Sequence, residues 1–90
     1  MKYVSNGFSP KMLNPNKELY FTIENTTYEE IQQNKDELIS SIGHENIANH
    51  LGIEKNRMNI ILEEGDIIYL VSCKNSLDEY SYRKITIENN

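Results

Sequence analysis

The chain has 90 residues and a formal net charge of −5 at pH 7, and 38% of its residues are hydrophobic. That apolar content suits one small globular domain over residues 1–90, while the acidic balance argues against a protein that coats DNA or RNA. Cys73 is the single cysteine, so no internal disulfide can form, and without a signal peptide or a membrane-length apolar run we expect a cytoplasmic protein with no membrane partner.

The N-terminal segment predicts two strands separated by a short helix. Lys2–Ser5 is a short apolar strand. Ser9 followed by Pro10 is typical of a helix start, with the serine as N-cap and the proline in the first helical position. This helix must be short because the sequence Asn-Pro-Asn at 14–16 interrupts it, and Leu19–Glu24 is then rich in residues that favour a strand.

A longer amphipathic helix is predicted over Thr27–Ile42. One helical stripe of this segment carries Tyr28, Ile31, Lys35, Leu38 and Ile42. We expect Gly43 to be its C-cap, because glycine adopts the left-handed backbone conformation without a steric penalty. Glu45–Leu51 predicts a second, short helix. His44 then lies at or next to the N-terminus of that helix, where free backbone N–H groups and the helix dipole favour an anion such as phosphate.

The C-terminal third predicts three strands. Arg57–Leu62 and Asp66–Ser72 are expected to form a hairpin through the turn at 63–65. The unbroken apolar run Ile67–Val71 indicates a strand that is covered on both faces and is therefore central in its sheet. Tyr82–Glu88 alternates in character and should be the last strand, at a sheet edge or a dimer seam. The predicted fold is α/β, with a small mixed sheet of four to five strands and helices packed against it.

The sequence lacks the other common catalytic and metal-binding patterns, which leaves His44 as the candidate catalytic residue. His44 and His50 are six positions apart, too far around a helix to share a face, and no second cysteine is available as a ligand, so we expect no metal or other cofactor. The sequence contains neither a P-loop nor a dinucleotide-binding glycine pattern, and no nucleophile elbow surrounds Ser9, Ser40, Ser41 or Ser72. His50, in the last turn of its helix, is expected to be structural. An imidazole beside a phosphate site suits metal-free phosphodiester cleavage, although a histidine in such a turn is more often only a cap or a surface residue.

Three segments in order carry a resemblance to a known family. They are Tyr3–Leu13 (YVSNGFSPKML), Ser41–Glu45 (SIGHE) and Asn56-Arg57, and an acidic turn and an apolar strand follow them. The pattern is similar to that of the viral type III anti-CRISPR ring nucleases, small proteins of archaeal viruses, phages and mobile elements: N-x-F-S-x-x-M-L, then S-I-G-H, then N-R before a strand. The similarity extends over most of the chain and is strongest at these three segments.

The resemblance implies a specific activity. Members of the family are homodimers that bind cyclic tetra-adenylate, the second messenger of type III CRISPR immunity, and linearise it without metal. A two-fold dimer suits a ring of four identical nucleotides, because each subunit presents the same groups to half of the ring. By analogy His44 is the general acid that protonates the departing 5′-oxygen. The other positions expected at the ligand, a cyclic tetra-adenylate or a related cyclic nucleotide, are Asn6, Gly7, Ser9, Gly43, Glu45 and Arg57.

The chain departs from the family pattern after the central strand. Longer family members carry an arginine there, followed by a loop glutamate that assists catalysis. Lys74 takes the place of the arginine; it has the same charge, but it cannot make the paired hydrogen bonds to phosphate that an arginine makes. Asp78 or Glu79 takes the place of the glutamate. If Glu79 is that residue, Asp78 is expected to contact the ligand. The change leaves two alternatives to a nuclease open: a sponge that sequesters a cyclic nucleotide without cutting it, and a protein-interaction module with an acidic surface.

Overall fold

The computed structural model describes residues 1–74 and 79–90 and confirms an α/β fold with a mixed five-stranded sheet. The elements in chain order are strand β1 (Lys2–Ser5), strand β2 (Leu19–Asn25), helix α1 (Tyr28–Gln33), strand β3 (Leu38–Ser41), helix α2 (Glu45–Leu51), strand β4 (Ile67–Lys74) and strand β5 (Glu79–Asn89). Single 3₁₀ turns lie at Pro10–Met12 and Lys35–Glu37. The strand order in the sheet is β2-β5-β4-β1-β3, in which β1 is parallel to both β3 and β4 and the remaining pairs are antiparallel.

Strand β4 occupies the centre of the sheet, as the apolar run predicts, and it is covered on both faces. Tyr69 and Val71 belong to a core shared with α1 and α2, whereas Ile68 points to the opposite face. That second core is closed by the 3₁₀ turn and by Ile60 and Leu62. The short sheet therefore has a helical layer on one side and an irregular layer on the other.

The predicted helix over Thr27–Ile42 is wrong in its second half. Thr27 does cap the helix, because its Oγ1 accepts a hydrogen bond from the Glu30 N–H at 3.1 Å. The helix then ends at Gln33, and the residues from Leu38 onward form β3 beside β1. Pairing with β1 satisfies a whole row of backbone groups, a tertiary gain that exceeds a weak local helical preference. Gly43 consequently follows a strand and is not a helix C-cap.

Two further expectations about strands are corrected. Arg57–Leu62 is not a strand and forms no hairpin with β4; its one ladder contact is an isolated bridge between Leu13 and Leu62. Its apolar residues instead close the second core, with Ile60 and Leu62 buried. The last strand is longer than predicted and is not at an edge, because β5 lies between β2 and β4.

Tyr69 gives the fold a predicted sensitivity to alkaline pH. Its ring is 1% exposed, and burial, reinforced by the hydrogen bond from its hydroxyl to Glu30 Oε2 at 2.9 Å, raises the pKa of Tyr69 from 10.0 to about 12. A raised pKa favours the protonated form in the folded state, so the stabilisation is complete below pH 10 and is lost as the pH rises through 12. We expect a loss of roughly 2–3 kcal/mol in the free energy of unfolding across this interval.

Urea unfolding at a series of alkaline pH values tests this expectation. The variant Tyr69→Phe should lack this part of the alkaline loss, whereas Tyr20→Phe, at a position that is 41% exposed, should retain it. An identical pH profile for wild type and Tyr69→Phe would contradict the assignment.

Candidate functional site

An open pocket of about 510 Å³ lies where the parallel strands β1 and β3 end. The carboxyl ends of parallel strands meet at one edge of a sheet, so the loops that follow them share that edge. The loop after β1 supplies one wall, the turn between β3 and α2 supplies another, and the irregular segment after α2 closes the third. The pocket is lined by Ser5, Asn6, Gly7, Ser41, Gly43, His44, Arg57, Met58 and Asn59.

Asn6 ties the first two walls together. Its Oδ1 accepts a hydrogen bond from the Gly43 N–H at 2.9 Å, across the ends of β1 and β3. The neighbouring Ser5 is buried, and its Oγ donates to the Gly7 carbonyl oxygen at 2.8 Å, which fixes the turn that presents Asn6. The loop after β1 is therefore held by its own side chains.

His44 is the N-cap of α2, as its position in the sequence predicts. Its Nδ1 accepts a hydrogen bond from the Ile47 N–H at 3.4 Å, and its side chain is otherwise exposed to the pocket. Because Nδ1 acts as the acceptor, the neutral ring carries its proton on Nε2, the nitrogen left for a ligand. The anion site expected at this helix end stays a prediction, and one N–H group of the first turn, that of Ile47, is engaged by the imidazole.

Arg57 reaches the pocket across Gly43. A Cβ atom at position 43 would lie 2.9 Å from Arg57 Nε and 3.2 Å from its Cγ, so the arginine stem packs directly on the glycine. The backbone N–H of Asn56 donates to the Ile42 carbonyl at 2.9 Å, and Ser41 Oγ donates to the Met58 carbonyl at 3.2 Å. These bonds fasten the residues on both sides of Arg57 to β3. Among the described residues that line the pocket, Arg57 is the one with a permanent positive charge.

Four other predicted site residues lie outside the pocket lining. Ser9 Oγ accepts from the Lys11 N–H at 3.3 Å and so caps its own 3₁₀ turn, and Glu45 is the first residue of α2. Lys74 pairs with Glu79 at the far end of the β4–β5 ladder. Ser5 is level with Leu70, so Lys74 lies four residues beyond the pocket floor, about 13 Å along the strand. Asp78 lies outside the described residues.

The structure thus brings together five of the predicted positions: Asn6, Gly7, Gly43, His44 and Arg57. The sequence interpretation missed four lining residues, Ser5, Ser41, Met58 and Asn59. Each is within two positions of a predicted one, so the available signal was proximity alone. In the described part of the chain no group of three or more His, Cys, Asp or Glu side chains is placed to hold a metal ion.

His50 lies away from this pocket, in an aromatic cluster at the other end of α2. Its ring stacks on Tyr80 with centroids 3.7 Å apart, and its Nε2 is 2.7 Å from the Tyr82 hydroxyl oxygen. The ring of Tyr28 packs against it at 5.1 Å. These contacts support the structural role expected for His50, which joins α2 to β5.

Comparison with known proteins adds one finding about the fold. No protein-family model matches the sequence, and no curated protein matches it. Among solved structures, the chain is similar to B116 of Sulfolobus turreted icosahedral virus, with a TM-score of 0.75 and 18% sequence identity over 94% of this chain and 97% of that one. The fold is that of a small viral protein. At this identity the likeness concerns the fold alone.

No helix in residues 1–74 or 79–90 has the length and hydropathy needed to cross a membrane.

The contact between Gly43 and Arg57 predicts a selective effect of Gly43→Ala. The added methyl group must displace the arginine side chain, which is flexible, so the fold should tolerate the change while Arg57 leaves its place in the pocket. We expect affinity for a phosphate-bearing ligand to fall roughly tenfold, with a change of less than about 0.5 kcal/mol in the free energy of unfolding.

Isothermal titration and urea unfolding measure the two quantities. Arg57→Ala is the reference, because Gly43→Ala should cost no further affinity once the arginine side chain is absent. The same loss from Gly43→Ala with and without Arg57 would show that the contact between them is not the cause.

Proposed function

We propose that the protein is a metal-independent ring nuclease that binds and linearises cyclic tetra-adenylate and thereby counters type III CRISPR immunity. The observation that carries the proposal is that His44, Arg57 and Asn6 line one pocket. The order of the three sequence segments supports the same function, and so does a fold shared with a viral protein.

The proposed reaction needs a proton donor and a cation at one phosphodiester. A ribose 2′-hydroxyl attacks its own phosphorus in line with the departing 5′-oxygen and loses its proton to solvent. His44 acts as the imidazolium: its Nε2 protonates the 5′-oxygen and the ring returns to the neutral form, while Arg57 stabilises the charge that develops on the phosphoryl oxygens. The products are a 2′,3′-cyclic phosphate and a free 5′-hydroxyl. The bond from the Ile47 N–H to Nδ1 belongs to the neutral ring that carries its proton on Nε2, whereas the imidazolium also carries a proton on Nδ1 and does not accept this bond.

A homodimer follows from the proposed ligand. One pocket offers a single histidine and a single arginine to a ring with four phosphates, whereas two copies related by a two-fold axis offer two of each. Met58, on the pocket lining, is 39% exposed although apolar, and in the proposed dimer the second copy covers it. In such a dimer Lys74 and Glu79, at the paired ends of β4 and β5, lie beyond the floor of each pocket. We propose that they contact the outer part of the cyclic nucleotide there.

The test is incubation of the purified protein with cyclic tetra-adenylate in the presence of EDTA. Linear products that end in a 2′,3′-cyclic phosphate support the proposal, and cleavage that requires added metal contradicts it. Cyclic tri- and hexa-adenylate, tested in parallel, give the ring-size preference.

A sponge is the second candidate, because Lys74 and Glu79, the two catalytic side chains that the resemblance implies besides His44, lie away from the pocket lining. A sponge predicts tight binding and recovery of the intact ring after the protein is denatured. A protein-interaction module predicts no thermal shift with any cyclic nucleotide, since a ligand at 100 times its dissociation constant should otherwise add about 2.7 kcal/mol of stability.

A further inference from the structure

The two edge strands of the sheet differ in whether other residues hydrogen-bond to their outer side. At the β3 edge, the segment after α2 runs alongside the strand: Ser40 Oγ donates to the Glu54 carbonyl at 2.5 Å, and Asn56 Nδ2 donates to the Ser40 carbonyl at 3.1 Å. At the β2 edge, no described residue hydrogen-bonds to the outward side of the strand. An uncovered edge of seven residues is a template for pairing with another strand.

The alternation of hydrogen bonds along β2 determines which of its residues direct their backbone N–H and C=O groups away from β5. The Thr26 N–H donates to the Tyr82 carbonyl at 3.2 Å, and the Asn90 N–H donates to the Glu18 carbonyl at 3.2 Å. Residue pairs in an antiparallel ladder alternate between bonded and non-bonded, so the even-numbered residues of β2 bond inward to β5. The outward N–H and C=O groups therefore belong to the odd-numbered residues Leu19, Phe21, Ile23 and Asn25.

The side chains of β2 leave apolar surface at this edge. Ile23 is 54% exposed, although it lies opposite Ile85 of β5, which is fully buried. Phe21 shares that face and lies opposite Ile87, which is 1% exposed. The second core therefore extends to the sheet edge and ends there uncovered. Tyr20, on the other face, is 41% exposed.

We propose that β2 pairs with β2 of a second copy, antiparallel and centred on Thr22. This register overlaps all seven residues of both strands and sets outward-facing residues against outward-facing residues along the whole length. Phe21 of each copy then lies opposite Ile23 of the other, beside the buried pair Ile85 and Ile87, so the second core becomes continuous across the seam.

The opposite face of the seam is also complementary. Thr22 meets its own copy, and the ring of Tyr20 of each chain lies beside Glu24 of the other, while its hydroxyl stays hydrogen-bonded to Glu88 of its own chain. No two like charges lie directly opposite each other within the seven residues. The pocket lies at the other side of the sheet, so this contact goes beyond the proposed nuclease dimer and leaves its site open.

Amide hydrogen exchange by NMR, from micromolar to millimolar protein, tests the pairing. The N–H groups of Phe21 and Ile23 should become protected as concentration rises, together with an increase in mass by light scattering, while those of Tyr20 and Thr22 stay protected throughout. Ile23→Lys should raise the dissociation constant of this contact roughly tenfold or more. Ile61→Lys, at an equally exposed position outside the sheet, should leave it unchanged. Fast exchange at Phe21 and Ile23 at millimolar protein, or loss of protection in Ile61→Lys, overturns the proposal.

Discussion

Replacing His44 with asparagine should lower the rate of ring opening by about 10²–10⁴-fold, the usual contribution of a positioned general acid. Asparagine is a good N-cap, so this variant keeps α2 capped while it removes the proton donor. His44→Ala should lose the same chemistry and, in addition, roughly 1 kcal/mol of stability with the cap. The comparison separates the proposed general-acid role of the imidazole from its observed role as the helix cap.

Single-turnover cleavage with excess protein measures the first quantity, and urea unfolding measures the second. His50→Asn is the matched histidine control, because that ring contacts Tyr80 and Tyr82 rather than the pocket. Cleavage by His44→Asn at the wild-type rate would rule out general-acid catalysis by this residue. Unchanged ligand binding with lost cleavage would assign His44 to the chemical step.

Leu62→Ala should be among the most destabilising single substitutions in the chain, at about 2–5 kcal/mol. Leu62 is 0% exposed, and its backbone joins the irregular segment to the 3₁₀ turn: its N–H donates to the Met12 carbonyl at 2.6 Å, and its own carbonyl accepts from the Asn14 N–H at 3.1 Å. For a domain of this size the whole stability is roughly 5–13 kcal/mol, so the loss is a large fraction of it.

The adjacent Ile61 provides a matched control. It is 56% exposed, so Ile61→Ala should change the free energy of unfolding by less than about 0.5 kcal/mol. Urea midpoints for the two variants measure the difference. A small effect of Leu62→Ala would show that the irregular layer adds little to the second core.

The elements that could be predicted from sequence are those whose local pattern and tertiary setting agree. Ile67–Val71 is apolar without interruption and is central in the sheet, and Ser9-Pro10 starts a helical turn. Leu38–Ser41 could not be predicted as a strand, because its apolar residues also fit the helical stripe that begins at Tyr28. The segment forms a strand rather than a helix because it pairs with β1 on the side away from β4. That pairing is a long-range contact, which the local sequence does not show.

The candidate site was predictable for a similar reason and to a similar extent. Asn6, Gly43 and His44 sit at turns that follow strands, where a ligand site of an α/β sheet is expected. Arg57 was expected at the ligand, but as the first residue of a strand; it lines the pocket from an irregular segment that the Asn56 N–H fastens to Ile42, at the end of β3. No local sequence pattern predicts that hydrogen bond. The distance of Lys74 from the pocket depends on how far β4 extends beyond β1, which is a matter of strand register.

The position of β1 has a consequence for the order of folding. This strand is early in the sequence, yet its partners are remote, because Lys2 pairs with Leu38 on one side and with Ile67 on the other. Two long loops must close before the middle of the sheet exists, and such non-local pairing slows folding. During synthesis β1 stays open on one side until β4 has been made. Asn6 meets Gly43 only when β1 and β3 are joined, and Arg57, Met58 and Asn59 are made later still, so the pocket exists only after three separate stretches of the chain have come together.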